Sequence, residues 1–362
     1  MRSRKVYNFA AGPATLPPSV MEKAQQEFVD FNGIGYGIAE ATHRGASFQG
    51  VIDRCEANIR ELMGISDDYA VLFLQGGASL QFAMVPMNLM LSGKPALYAD
   101  TGSWTTKAIK EAKLFGDAKV VYSGKDSEYT KIGDCGAWDW SGDASYAYLC
   151  SNNTVRGTQY HFFPNTGDVP LIADMSSDIM SRKVDVNKFG MIFAGAQKNL
   201  GPAGLTLVII RKDLAERVAA TVPTMLKYET FIKSNSLFNT PPCFAIYMMG
   251  LVTEWIKEQG GVAGVEKVNV SKSDALYEHI DMSIFYQGTV ESGDRSKMNV
   301  CFRLPEEELE KKFVKEADAA GLVGLKGHRS VGGIRANIYN AMPLSGVATL
   351  IDFMTEFEER NG

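Results

Sequence analysis

Apolar positions along this chain follow two rhythms. Short runs at Ala70–Leu74, Ala96–Ala99, Lys119–Tyr122, Tyr146–Cys150, Leu171–Ala173, Met191–Ala194 and Leu205–Ile210 sit between turn-forming residues and read as strands. Helical spacing lies between and before them. Val20, Ala24, Phe28 and Phe31 share one face of a helix expected from about Pro18 to Phe31. Phe48, Ile52, Cys55, Ile59 and Leu62 mark a second helix that Gly64 closes. Leu80–Leu91 and a stretch from Trp104 to about Phe115 read as two more. Strand–helix alternation of this kind predicts an α/β protein, with a mostly parallel seven-stranded sheet carrying helices on both faces.

The rhythm changes after Ile210. Lys227 to Pro242 reads as a long polar connection, a length that is usually functional or reaches a partner. A helix from Cys243 to Lys257 follows, with Phe244, Tyr247, Leu251 and Trp255 on one face, and Gly260-Gly261 interrupts it. Beyond lie a helix, strands at Phe285–Val290 and Met298–Leu304, an acidic–basic helix at Glu306–Ala319, strands around Arg329 and a final helix. The expected organisation is a large domain over residues 1–262, opened by an irregular arm at Asn8–Pro13, and a smaller α+β domain over residues 263–362.

Composition narrows the function classes. Hydrophobic residues at 45% and charged residues at 22% suit a globular chain with an ample core. A net charge of -5 gives no reason to expect nucleic acid or an anionic membrane as partner. No apolar run reaches membrane-spanning length, and the opening M-R-S-R-K-V-Y-N-F lacks the apolar segment of a leader. Cys55, Cys135, Cys150, Cys243 and Cys301 are scattered without a C-x-x-C, which points to a reducing cytoplasm and away from zinc, any other metal or a disulfide framework.

Two strand ends carry the strongest chemical signal. Lys198 follows the apolar run Met191–Ala194 on a turn of small residues, where desolvation favours the neutral amine that attacks an aldehyde. Asp174 ends an earlier run, and strand ends of an open α/β sheet share one crevice. A lysine and a carboxylate so placed are what pyridoxal 5'-phosphate needs: one to form the Schiff base, the other to keep the pyridine nitrogen protonated. Taken alone, Lys198 also reads as a solvated strand end and Asp174 as a helix cap.

Weaker signals agree. Gly76-Gly77-Ala78-Ser79, at a strand-to-helix turn, offers backbone N–H groups to a phosphate or simply makes a tight turn. Trp104 follows the next strand end, where an indole stacks on a planar ring or packs into the core. Asn153-Thr154 offers a hydroxyl at a third. His43-Arg44 and His328-Arg329, with Arg335 beyond Gly332-Gly333, place cations in glycine-flanked loops suited to carboxylate or phosphate. His161 and His279 have no such setting and read as structural.

Lys198 within Gly195-Ala196-Gln197-Lys198-Asn199-Leu200-Gly201-Pro202-Ala203-Gly204, the opening Asn8–Pro13, and His328-Arg329 through Arg335-Ala336-Asn337-Ile338-Tyr339-Asn340-Ala341 together resemble the phosphoserine aminotransferases over nearly the whole chain. The resemblance implies the aspartate-aminotransferase-like fold (fold type I of pyridoxal-phosphate enzymes) and a cytoplasmic homodimer with its active site at the interface. It implies amino transfer from L-glutamate to 3-phosphohydroxypyruvate in serine biosynthesis, giving O-phospho-L-serine and 2-oxoglutarate, and admits a second activity in pyridoxine biosynthesis. It assigns catalysis to Lys198 and Asp174, ring stacking to Trp104 and the ring hydroxyl to Thr154. Ala78, Ser79 and Gln197 fall on the phosphate side, with Asn239 and Thr240 arriving from the other subunit. His43, Arg44, His328, Arg329 and Arg335 fall on the substrate. Many relatives carry an arginine at the position of Ser79.

Two other readings lead to different experiments. A related pyridoxal-phosphate lyase, such as a cysteine desulfurase, needs a reactive loop cysteine, for which Cys135 in Gly133-Asp134-Cys135-Gly136 is the candidate. A non-catalytic phosphate-ligand binding protein would keep the arginines and have no use for Lys198.

Overall fold

The computed structural model describes residues 6–362; Met1–Lys5, part of the opening read for a leader and of the expected large domain, lie outside the described residues. A seven-stranded sheet runs in the order Tyr69–Leu74, Thr206–Arg211, Met191–Gly195, Leu171–Asp174, Ala147–Cys150, Ala96–Asp100, Ala118–Ser123. Thr206–Arg211 is antiparallel to both neighbours, and the other pairings are parallel. Its inner strands are buried along their length, as a sheet covered on both faces requires.

Alternate residues feed two cores. Val71, Phe73, Leu149, Ile192 and Leu207 face one way, toward the helices Ala46–Met63 and Cys243–Glu258. Leu72, Tyr98, Tyr148, Phe193 and Val208 face the other, toward Gly77–Leu89 and Ser103–Ala112. A third core, built on Phe302, Phe313, Leu350, Met354 and Phe357, lies under an antiparallel sheet of Ile334–Asn337, Asn299–Arg303 and Gln287–Gly288. Helices Glu307–Ala319 and Leu344–Asn361 cover it. Helix Gly261–Met282 joins the layers, giving Val262 and Val265 to the first core and Leu276, Tyr277 and Ile280 to the third.

Several expectations are corrected. The first helix stops at Glu27, not Phe31: Asn32 takes φ +53°, and Phe28 is exposed with its ring edge-on to Phe244. The connection Lys227–Pro242 contains a helix, Tyr228–Lys233, because Tyr228 and Phe231 fill the second core. The run Phe285–Val290 contributes only Gln287–Gly288 to the sheet, Phe285 and Tyr286 turning into the third core. The strands expected around Arg329 are Leu322–Val323 before it and Ile334–Asn337 after it, with Arg329 on the loop between, but the two do not pair as neighbours in one sheet. The short strand Leu322–Val323 pairs instead, in parallel, with Tyr7–Asn8, so the opening arm is partly ordered by the far end of the chain.

Candidate active site

The ends of the parallel strands bring the expected groups together. Lys198 stands on the turn after Met191–Gly195, which is closed by Leu200 and Gly201 N–H donating to Ala196 O at 3.0 and 2.9 Å. Its Nζ donates to Thr154 Oγ1 at 2.6 Å. Burial pushes the amine down to about 8, against the opposing pull of Asp174. Asp174 ends the adjacent strand and is 3% exposed. Burial raises its carboxyl, while two bonds to Oδ1 and the Lys198 charge work against the rise. Those bonds come from Ser176, its N–H at 2.9 Å and its Oγ at 2.6 Å. Ser176 was not singled out from the sequence, although Asp-Met-Ser is a plain Asx-turn signature.

Thr154 ties this pair to the cationic side. Its carbonyl accepts Arg335 Nη1 at 2.8 Å, from the strand Ile334–Asn337 of the small sheet. Arg335 is nearly buried and its Nε has no partner among the described residues. His328 lies near enough for Arg335, Arg329 and Lys107 to add to the effect of burial in lowering its basicity. The opening arm braces the same place: Ala14 N–H donates to Gln197 O at 2.8 Å, and Ala11 O accepts Tyr339 Oη at 2.9 Å.

On the far side, Trp104 opens the helix Ser103–Ala112, its Nε1 buried without a partner among the described residues and Lys107 Nζ 4.4 Å from its ring. The helix expected from Leu80 begins earlier, so Gly77, Ala78 and Ser79 form the first turn of Gly77–Leu89. No side chain caps it, which leaves its N–H groups open to an anion. Gly76 turns into this helix at φ +91°, and a Cβ there would fall 2.4 Å from Leu80 Cδ2. Gln75 Nε2, beside it, is another buried polar atom without a partner.

Four expected residues stand apart. Among the described residues neither His43 nor Arg44, on the loop before helix Ala46–Met63, is bonded to this group of side chains, and His43 Nε2 is buried without a partner. Asn239 donates only to Thr240 O, at 3.1 Å, and its Oδ1 is likewise without a partner. Cys135, the desulfurase candidate, is buried, and its thiol is pushed up to about 12, so thiolate is scarce.

The aminotransferase class-V family model matches residues 6–350. Over 99% of its length and 100% of the relative's, the chain is 55% identical to the phosphoserine aminotransferase of Syntrophobacter fumaroxidans. The chain belongs to the phosphoserine aminotransferase family. Among solved structures it is similar to the phosphoserine aminotransferase of Bacillus circulans subsp. alkalophilus, at 51% identity, TM-score 0.98, with 99% of this chain and 100% of that one covered. It is also similar to the pyridoxal-phosphate-bound phosphoserine aminotransferase of Trichomonas vaginalis, at 36% identity and TM-score 0.92, covering 97% and 99%. The fold is therefore fold type I, that of the aspartate-aminotransferase-like enzymes, and the cofactor of the family is pyridoxal phosphate. The residues present fit that group: a lysine short of acceptors, a strand-end carboxylate, an uncapped helix start and an indole N–H without a partner meet at one end of the sheet.

Proposed function

We propose that the protein transfers the amino group of L-glutamate to 3-phosphohydroxypyruvate, giving O-phospho-L-serine and 2-oxoglutarate for serine synthesis. The observation that carries this reading is the continuous bonding from amine to cation, Lys198 Nζ to Thr154 Oγ1 and Thr154 O to Arg335, which sets a nucleophile beside an anion clamp.

Lys198 would hold pyridoxal phosphate covalently, Asp174 would face its ring nitrogen, Thr154 its ring hydroxyl and Trp104 its face. Ala78, Ser79 and Gln197 would take the phosphate end. When bound, the cofactor supplies an electron sink for charge developing at the substrate's Cα. Lys198 Nζ, lowered to about 8, is a base matched to removing the Cα proton near neutral pH. Arg335 would orient the substrate carboxylate, and His328 with Arg329 would meet the distal anion. Planar guanidinium groups suit both the phosphate of one substrate and the second carboxylate of the other.

His43, Arg44, Asn239 and Thr240 would complete the site from a second copy of the chain, consistent with the partnerless buried atoms on His43 and Asn239. A homodimer is the assembly this reading implies, and the scattered cysteines, none paired, suit a cytoplasmic one. Among the described residues no helix is long and apolar enough to cross a membrane.

The test is the visible absorbance of purified protein loaded with pyridoxal phosphate, before and after L-glutamate alone. The expected outcome is a yellow band that fades with glutamate and returns with 3-phosphohydroxypyruvate. A protein that stays colourless after incubation with the cofactor would overturn the assignment of Lys198 and Asp174.

A further inference from the structure

The hairpin that carries His328 and Arg329 is gripped from behind by two side chains with no part in the proposed chemistry. Its legs pair Lys326 with Ile334, and Gly327 N–H donates to Gly333 O at 2.9 Å. Its tip closes with Val331 and Gly332 N–H on His328 O, at 2.8 and 2.9 Å. Glu310, in the first turn of helix Glu307–Ala319, is 7% exposed and reaches back to this hairpin. Its Oε2 accepts Gly333 N–H at 3.1 Å, and its Oε1 accepts Arg303 Nε at 2.5 Å. Arg303, at the end of strand Asn299–Arg303, in turn donates from Nη1 to Val331 O at 3.3 Å. Gly333 sits at φ +70°, and a Cβ there would lie 2.7 Å from Arg303 Cδ and 2.9 Å from Phe302 O, so the arginine stem lies flat against the hairpin.

A carboxylate taken this far out of water gains little net stability from one arginine, because desolvation offsets the attraction. What the pair does supply is registry: one ion pair bonded to both the tip and the returning leg of a loop that would otherwise swing on its glycines.

We propose that Arg303 and Glu310 form a positioning pair for the substrate's distal anion, fixing the hairpin so that His328 and Arg329 present their donors together. This rests on the reading of those two residues as ligands of the phosphate.

The test is steady-state kinetics of the loaded enzyme with 3-phosphohydroxypyruvate for Glu310→Ala, Arg303→Lys, Arg329→Ala and the double variant Glu310→Ala/Arg329→Ala. Glu310→Ala is expected to raise KM for the phosphorylated substrate about 10-fold and leave kcat within about 2-fold, as loss of charged hydrogen bonds that act only on binding would. Amide exchange at Gly333 should quicken in the same variant. Arg303→Lys, which keeps the charge and part of the bonding and guards against a Glu310 variant that fails to fold, is expected to raise KM by about 3-fold. In the Arg329→Ala background, Glu310→Ala should add less than it does alone, since only His328 is left on the loop for the pair to position. Unchanged KM in a folded Glu310→Ala enzyme, or effects that multiply in the double variant, would overturn the positioning role. An Arg329→Ala enzyme with unaltered KM would instead overturn the underlying reading of the hairpin as a phosphate ligand.

Discussion

Lys198 stands at the open end of the seven-stranded sheet, donating to Thr154 Oγ1 at 2.6 Å, while Lys272 is wholly enclosed on helix Gly261–Met282. Lys272 Nζ donates to Ile338 O, Tyr339 O and Met342 O at 2.9, 2.7 and 3.0 Å. Burial lowers both amines, to about 8 and about 7. Desolvation alone therefore does not mark a reactive lysine. Three carbonyls saturate the donors of an ammonium and leave it nothing further to do but pin the segment 338–342 to its helix. One hydroxyl and a neighbouring carboxylate leave Lys198 with bonding capacity facing a crevice. The same helix sends Asn269 to Asn340, whose N–H donates to Asn199 Oδ1, the residue after Lys198. The saturated lysine thus helps to hold the turn on which the unsaturated one stands.

Substitution separates the two most sharply. Lys198→Ala is expected to lower turnover by about a thousand-fold or more, the scale of losing a general base and nucleophile, with an unchanged or slightly raised denaturation midpoint because a desolvated amine has gone. Near-normal glutamate half-reaction in that variant would end the reading of Lys198 as the cofactor lysine. Lys272→Met should do the reverse, taking a donor from the Ile338 and Met342 carbonyls while Tyr339 O keeps Met342 N–H, at a cost of about 3 kcal/mol, and the remaining folded enzyme should turn over within about 10-fold of normal. The pH dependence of stability adds an independent check. A lysine whose folded pKa lies below its unfolded value binds fewer protons when folded, so its contribution to stability rises with pH, from about 7 upward for Lys272 and from about 8 for Lys198. His161, His279 and His328, also lowered, contribute most of their slope below pH 7, and the buried cysteines oppose the trend only as pH approaches 9.0. Denaturant midpoints of cofactor-free protein should therefore climb between pH 7 and 8, keep most of that slope in Lys198→Ala and lose most of it in Lys272→Met. A slope retained in Lys272→Met would show that other groups carry it.

How far a sequence reveals such a site depends on what holds each part. The seven strands of the large sheet were legible because runs such as Leu171–Asp174 and Met191–Gly195 are buried on both faces and carry no polar interruption. The positions of Asp174, at the end of its run, and of Lys198, Thr154 and Trp104, within five residues past theirs, were legible because strand register brings such strand-end turns to one edge. What side chains hold was not. Lys272 reads like its neighbour Lys267 in a polar stretch of helix, and only the third layer folding over it makes it buried. Glu310 left one faint trace: with Phe313 and Ala317 it occupies a helical stripe whose other members are apolar and buried. Tyr228 and Phe231 were hidden in a run whose serines and asparagines read as loop.

The smallest expected effect tests how finely the crevice is tuned. Ser176 Oγ donates to Asp174 Oδ1 at 2.6 Å and accepts Gly195 N–H at 3.1 Å, so one hydroxyl links the carboxylate to the strand that leads to Lys198. Bonds to the ionised form favour it, and here they oppose a burial that drives Asp174 toward neutrality. Ser176→Ala keeps the backbone N–H and removes the hydroxyl, so the Asp174 pKa should rise further. For activity, the role proposed for Asp174 requires its ionised form, so the acid limb of kcat/KM for the glutamate half-reaction is expected to move to higher pH with little change at its plateau. For stability, a carboxyl with a folded pKa above its unfolded value contributes least once pH exceeds both, so on top of the pH-independent loss of the Gly195 N–H acceptor the variant should lose more stability toward neutral pH than in acid. An acid limb that stays in place while the plateau falls would mean that Ser176 acts by holding the Gly195 strand end rather than by tuning Asp174. In that case the contrast between the two lysines would rest on bonding geometry alone, with no electrostatic adjustment of the carboxylate behind it.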